Sequence, residues 1–517
     1  MTANDLIAAF ETLAEAPDGV KRLRELVLQL AVRGKLVPQD AGDEPASKLI
    51  ERASQFNPKA RSAGKTLISV DAPYVSPPGW VWTTATALGD TSPRNKVEDD
   101  AVVGFVPMAV VPKEYGASLS PELRTWAEIK KGFTHIADGD IAVAKITPCF
   151  QNGKACVVSG LPFGVGAGTT ELLVLRPHPK TLDARYALAF FKSPDFVRGG
   201  VETFTGTAGQ QRVSNDYFRS RPFPLPPLAE QHRIVARVDE LMSLLDRLEA
   251  ARATRDELRR AARDAALAAL RMAEDTEAVE AAWGRIAEQM GALFAQPEDV
   301  APLRQAVLEL GCNGGLSPKE KTGWRTMQLH QLLREPLANG RSVPDGAGFP
   351  VLRLTALRGK VVDTKHQKLG AWTEEEGSRF QIEAGDLLVV RGNGSRDIVA
   401  RASRVLTSEK VAYPDTAIRV RTKPEQVETA YLHYAWHSFG VRIQLETRAR
   451  TTNGIWKVSQ GDLEAVELAI PPLAEQHRIV AKVDALMALC DTLEARLTTA
   501  RDLHAAFAAA AVHHLDV

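Results

Sequence analysis

Several short stretches of this chain have residue types and spacings that could do chemistry. AGKT at Ala63–Thr66 has the Gly-Lys-Thr end of a loop that cradles phosphates with backbone N–H groups and a lysine. The glycine such a loop needs five residues before Gly64 is Lys59, so that chemistry fails. GNGS at Gly392–Ser395 lacks the third glycine of a dinucleotide fingerprint and reads as a turn at a strand end. His232 and His477 each precede an arginine in a helical pattern and read as helix surface. Cys149 and Cys156 have no base close in sequence and read as small packed residues. No HExxH, no paired metal-ligand spacing and no Asn/Asp-Pro-Pro-aromatic segment of an amino-methyltransferase occurs. The expectation is a protein that is not an enzyme and holds no metal or cofactor.

The elements that would position any site come in two copies. PPLAEQHRIVA runs from Pro226 to Ala236 and returns unchanged from Pro471 to Ala481. Around it, GDIAVAK at Gly139–Lys145 resembles GDLLVVR at Gly385–Arg391, and LRELVLQL at Leu23–Leu30 resembles LRQAVLEL at Leu303–Leu310. The chain is therefore two tandem units, with about 35 extra residues between Pro38 and Gly79 of the first. Pro-Pro suits the first turn of a helix, and Glu230 then stands near the positive end of the helix dipole. Ile234, Val238, Leu241, Leu245 and Leu248 follow in 4-3-4-3 steps, as do Ile479, Val483, Leu486, Cys490, Leu493 and Leu497. Uninterrupted residues 228–273 would make a rod of roughly 65 Å, and two such rods most simply bury their seams on each other as an antiparallel pair.

Between the helices lie bodies of short β-branched runs (IAVAKI, ELLVLRP, DLLVVRG, AIRVRT) broken by Gly, Pro, Asn and Asp, with helical patterns near 183–199 and 427–444. The fold class is α+β. Formal net charge is +0 overall, but residues 321–470 carry 22 basic against 17 acidic residues, and residues 65–225 carry 17 against 15. Both bodies lean toward an anionic partner. Four cysteines without a CxxC pair, an acidic amphipathic N-terminus and no long apolar run fit a reduced, cytoplasmic setting without a membrane.

Taken together, LRELVLQLAVRGKLVPQD, GDIAVAKITPCFQNGK, GAGTTELLVLRP and PLPPLAEQHRIVARVDELM make the chain similar, over essentially its whole length, to the specificity subunits of type I restriction–modification systems. The resemblance implies two pseudo-repeated α/β target recognition domains, separated by the paired helices in a circular pseudo-twofold organisation. The expected segments are a helical N-terminal part (1–64), recognition domain 1 (65–225), a central repeat region with a long helix (226–320), recognition domain 2 (321–470) and a C-terminal repeat region with the second long helix (471–517). Each recognition domain would read one half of a bipartite, asymmetric double-stranded DNA site, and the helices would set the gap. The implied partners are two adenine-N6 methyltransferase subunits and two ATP-driven translocase–nuclease subunits, which would carry the S-adenosylmethionine, ATP and Mg.

Base edges are read by Arg, Asn, Gln and Thr, and phosphates by Lys, Arg and amides, all from exposed loops. In the first body the candidates are Lys145, Thr147, Gln151, Asn152 and Lys154, then Thr205, Thr207, Gln210, Gln211 and Arg212. In the second they are Arg391, Asn393, Ser395 and Arg396, then Arg448, Arg450, Thr451, Thr452, Asn453, Trp456 and Lys457. A scaffold with protein-binding bodies, or a body hiding an enzyme, remains an alternative at this level.

Overall fold

The computed structural model describes residues 10, 13–56, 73–207, 209–273, 276–317, 322–452 and 454–516. The AGKT stretch and Asn453 lie outside them. The chain forms two compact units, one of Met1–Thr254 with Arg501–Val517, the other of Arg255–Ala500.

In the first unit, helix Gly19–Val32 buries Leu23, Leu26, Val27 and Leu30, a 3–4 spacing that lays one apolar face on the core. The body holds two four-stranded sheets. One runs Gly89–Asp90, Leu172–Pro177, Ile141–Ala144, Ala155–Val157, antiparallel throughout. The other runs Glu122–Thr125, Val102–Val106, Val165–Gly168, Thr134–Ala137, with its central pair parallel. The expected helical stretch near 183–199 is two helices, Ala184–Phe191 and Pro194–Val201. Ser193 makes the break: its hydroxyl accepts from the Phe196 N–H, and Pro194 suits a first turn but not a helix interior.

The second unit repeats this topology strand for strand. Its all-antiparallel sheet runs Ala338–Asn339, Ala417–Val420, Leu387–Val390, Ala402–Arg404, and its mixed sheet runs Gln367–Gly370, Asp345–Leu352, Glu409–Ala412, Gln381–Ile382. Helices Thr429–His437 and Phe439–Arg448 again break at a serine, Ser438. Bodies that share few residues thus share one fold, and the α+β class holds.

Both long helices are 44 residues, Leu228–Arg271 and Leu473–Asp516. Their first turns do not wait for each other. In unit 1, Ile234, Val238, Leu241 and Leu245 join the main core, while Arg24 of the short helix reaches Asp246 (2.6 Å) and Glu249 (2.9 Å). In unit 2, Ile479 and Val483 press on Gly311 of helix Val300–Asn313, where a Cβ would meet Val483 at 3.0 Å. Arg304 there reaches Asp491 and Glu494 as Arg24 does in the first unit. Farther along, Leu267 and Leu270 share a cluster with Cys490 and with Leu303 and Leu310 of helix Val300–Asn313, and Leu493 and Leu497 pack against it. No helix among the described residues is long and apolar enough to cross a membrane.

The repeated segment owes its repetition to atoms that hold this frame. Gln231 is fully buried; its amide donates to the Pro226 carbonyl (3.0 Å) and its oxygen accepts from the N–H of Asp183, the residue that caps the body's helix. Gln476 does the same for Pro471 (2.8 Å) and for Glu428, the cap of the second body's helix. Each long helix is thereby tied to its own body. Tyr186 and Tyr431 add matching hydroxyl bonds to Pro224 and Ala469 carbonyls, both 2.7 Å. Glu230 accepts from the Trp80 indole and from Gln39, both 3.0 Å; Glu475 accepts from the Ser317 hydroxyl. Burial pushes the Glu230 carboxyl above the usual glutamate range.

A carboxyl so raised makes the folded chain hold more protons than the unfolded one just above the ordinary glutamate pKa, so its contribution to stability falls as pH rises through that window. Glu230→Gln is therefore expected to keep the Trp80 bond and to flatten stability above about pH 4.3. Glu230→Ala should cost about 1–3 kcal/mol by orphaning the buried indole N–H. Urea titrations across pH check both, and equal losses in the two variants would refute the role given to the Trp80 bond.

Candidate nucleic-acid interface

The sequence-predicted loops of unit 2 assemble into one three-stranded ribbon. Ile455–Lys457 pairs on one side with Arg450–Thr452 and on the other with Gly392–Asn393, all antiparallel. The turn joining the first two strands closes between Thr452 and Ile455, with Gly454 at φ +76°, the left-handed conformation that glycine supplies cheaply. Alternation along the strands places Arg450 and Lys457, which face each other directly, on one side of the ribbon; Thr451, Trp456 and Asn393 take the other. Half-buried Trp456 packs against the core, and the Arg396 guanidinium lies 5.0 Å over its ring while donating to the Glu446 carbonyl at 3.0 Å. Asn393 accepts from the Ser395 N–H at 2.9 Å, which makes GNGS the turn expected of it.

Arg391, Arg450 and Lys457 are exposed, and among the described residues no hydrogen bond or ion pair engages their side chains. Arg448 is different. Its guanidinium donates to the Gln444 and Ala465 carbonyls, and its work is to join helix Phe439–Arg448 to the following segment.

Unit 1 builds the same ribbon in reduced form. Arg212 bridges to Thr205 and to Ile146, at the positions matching Lys457, Arg450 and Gly392. Thr147 and Gln211 exchange bonds, with Thr147 N–H reaching the Gln211 carbonyl (2.9 Å) and Gln211 N–H reaching the threonine hydroxyl (3.1 Å). The charge, however, is internally balanced. Arg212 forks onto Glu171 at 2.7–3.1 Å, and that pair holds the Glu171 carboxyl below its usual range. Half-buried Lys145 adds to the same effect. Lys154 donates to the Met108 carbonyl at 2.7 Å and serves the fold. Gln151, Asn152, Thr205, Thr207 and Gln210 are exposed, and of these Gln151 and Asn152 stand apart from the ribbon on the rim of a cavity.

Each body also holds an aspartate–arginine pair, with the aspartate buried, that sequence reading missed. Asp386, 1% exposed, binds Arg421 at 2.6 and 2.8 Å and accepts the Glu383 N–H. Asp140 binds Arg176 at 2.8 and 2.9 Å and accepts the Ala137 N–H. The aspartates are those of the repeated Gly-Asp motif, the one signal that could have found them; burial outweighs the arginine and raises the Asp140 carboxyl. His232 and His477 are exposed. Among the described residues, no group of three or more His, Cys, Asp or Glu is placed to hold a metal ion.

Comparison with known proteins decides the family. Residues 343–500 match the type I restriction modification DNA specificity domain. The type I restriction enzyme EcoEI specificity subunit of Escherichia coli is 31% identical over 543 residues, 93% of this chain and 91% of that protein. The chain belongs to the type I restriction enzyme specificity subunits. The EcoAI specificity subunit, also of Escherichia coli, is 42% identical over 311 residues, which cover 58% of this chain and 53% of that one. A solved structure from work on complex assembly and conformational transition of the type I R-M system shares the fold, with a TM-score of 0.57 and 20% identity over 86% of this chain and 99% of its own. For a specificity subunit, two bodies of one topology on a copied frame are the expected build, and the ribbon lies in a domain of DNA-recognition type.

Proposed function

We propose that each body of this specificity subunit reads one half of a bipartite, asymmetric DNA site, while the long helices set the gap and dock two adenine-N6 methyltransferase subunits. Two translocase–nuclease subunits complete the restriction complex. The S-adenosylmethionine, ATP and Mg of the reactions belong to these partners, and this chain supplies recognition without catalysis. One observation carries the reading. Arg450 and Lys457 stand directly opposite each other on an exposed ribbon with no acidic partner among the described residues. Like charges so placed destabilise a strand pair, and a nucleic-acid phosphate relieves the repulsion. The frame supports the two-partner arrangement, because the Gln231 and Tyr186 bonds recur at Gln476 and Tyr431 while the ribbons differ.

A methylome of the source strain with and without this gene tests the reading. Loss of N6-methyladenine from one split motif of fixed gap is expected, and no change in any motif would refute it. The ruler part has its own test. Four residues inserted after Ala253 lengthen the rod by about 6 Å. The spacer of the methylated motif is expected to grow by on the order of one base pair, since half-site spacing follows protein geometry. An unchanged motif would end the ruler model and leave the half-site reading standing.

A further inference from the structure

Unit 1 balances the charge of its ribbon with Glu171, yet it also holds a cleft that is not balanced. A cavity of about 200 Å³ lies between the loop after strand Gly89–Asp90, the residues after strand Ile141–Ala144 and helix Asn215–Ser220. That is below the range of sites for drug-sized ligands and leaves room for one anionic group. Arg94, Lys145 and Arg219 line it, and no Asp or Glu does. Lys145 joins the cleft to the ribbon, since the next residue, Ile146, bridges to Arg212.

The cations are available. Among the described residues the side chains of exposed Arg94 and half-buried Lys145 make no hydrogen bond or ion pair, and that of Arg219 donates to the Ser92 hydroxyl at 3.1 Å. The neighbouring acids are engaged elsewhere. Asp90 accepts the Ser92 N–H at 2.8 Å, and Glu171, on which the Lys145 charge acts without a bond, is held by the Arg212 fork. His135 in the lining already uses both ring nitrogens, on the Asn95 N–H and the Lys130 carbonyl, each at 3.0 Å. The loop that carries Arg94 is held on both sides. Pro93 is buried, and the Asn95 amide donates to the Ile136 (2.7 Å) and Gly166 (3.1 Å) carbonyls. Its backbone has little freedom left to lose on binding.

The duplicated chain supplies an internal comparison. Lys145 falls on Arg391, and the match extends to the backbone: the Val213 N–H donates to the Lys145 carbonyl at 2.9 Å as the Val458 N–H donates to that of Arg391 at 3.0 Å. Each body thus presents one free cation at the same place in its fold. The further cations differ. Unit 2 adds Arg450 and Lys457 on its ribbon, and carries Glu464 where unit 1 has Arg219. Unit 1 neutralises Arg212 and adds Arg94 and Arg219 instead.

We infer that this cleft holds one backbone phosphate of DNA between Arg94, Lys145 and Arg219, so that the two bodies grip the duplex backbone through different elements. Cations gathered without an acid repel one another, and a phosphate among them removes the repulsion. The inference rests on the reading of each body as a half-site reader.

Anisotropy titrations across salt, with the assembled complex and a duplex carrying its methylated motif, test it. Arg94→Ala with Arg219→Ala is expected to make the log K against log salt slope shallower by about 0.9, the share of one phosphate, so that the fall in affinity between 50 and 200 mM salt shrinks about threefold. Arg94→Lys with Arg219→Lys should keep the slope, because the charge stays. Arg219→Glu, which installs the unit 2 residue, should weaken binding more than Arg219→Ala, with thermal unfolding of the chain little changed. The methylated motif should be the same in every variant, because a phosphate contact carries no base information. An unchanged slope in the alanine pair, beside a shallower one in an Arg450→Ala, Lys457→Ala complex, overturns the cleft and leaves the half-site reading standing. An unsubstituted complex whose affinity ignores salt overturns both. A changed motif would mean base reading and overturn the phosphate assignment. Calorimetry of the full chain with inorganic phosphate at constant ionic strength covers the other source. Binding that is lost in the alanine pair while the DNA slope stays put would make the cleft a free-anion site and overturn the inference.

Discussion

A complex assembled with Arg450→Ala and Lys457→Ala in this chain is expected to bind its DNA with a log K against log salt slope shallower by about 1.8, because each phosphate contact contributes roughly 0.9 through counterion release. Between 50 and 200 mM salt the fall in affinity should then shrink about tenfold. Both side chains are exposed, face each other across one strand pair and are unengaged among the described residues, so nothing internal absorbs their loss. The isolated chain should be slightly more stable, since a like-charge pair disappears. The control lies in unit 1. Arg212 is already neutralised by Glu171, so removing both together should leave the slope nearly unchanged. Fluorescence anisotropy titrations across salt distinguish the cases. An unchanged slope in the Arg450/Lys457 variant would remove the ribbon from the interface.

Asp386→Ala should cost the second unit about 3 kcal/mol, the lower part of the range for breaking a buried ion pair. The aspartate is 1% exposed and ties both oxygens to Arg421. Removing it strands a guanidinium that is 7% exposed at its side chain, with Glu335 and Glu383 as partial compensation; these hold the loss near 3 rather than 5. Replacing both members by apolar residues of similar volume should recover most of it, because the desolvation of two charges disappears with them. Guanidinium titrations measure both variants. A loss below about 1 kcal/mol for Asp386→Ala would mean that solvent reaches the pair, contrary to its burial.

The two copies of PPLAEQHRIVA were legible because their identity is the imprint of backbone caps and short-range bonds. Gln231 reaches a carbonyl five residues away, and Gln476 does the same. The α+β alternation was legible for a similar reason, since strands, turns and helix starts are written in near neighbours. The break at Ser193 and Ser438 was not separated from its helical surroundings, although Ser-Pro at the first site carried the signal. The polar loops were found as loops, but their free chemistry was not. Lys154, Arg212 and Arg448 look like Arg391, Arg450 and Lys457 in sequence, yet the first three meet internal acceptors.

The sequence by itself determined the duplication, the α+β class, the long helices and the family, all of which rest on local pattern or on matched residues. Tertiary structure alone decided which cations remain available and which aspartates are buried against arginines 35 or 36 residues away. A side chain's spare hydrogen-bonding capacity depends on acceptors brought from distant parts of the chain, and a one-dimensional pattern does not contain those distances.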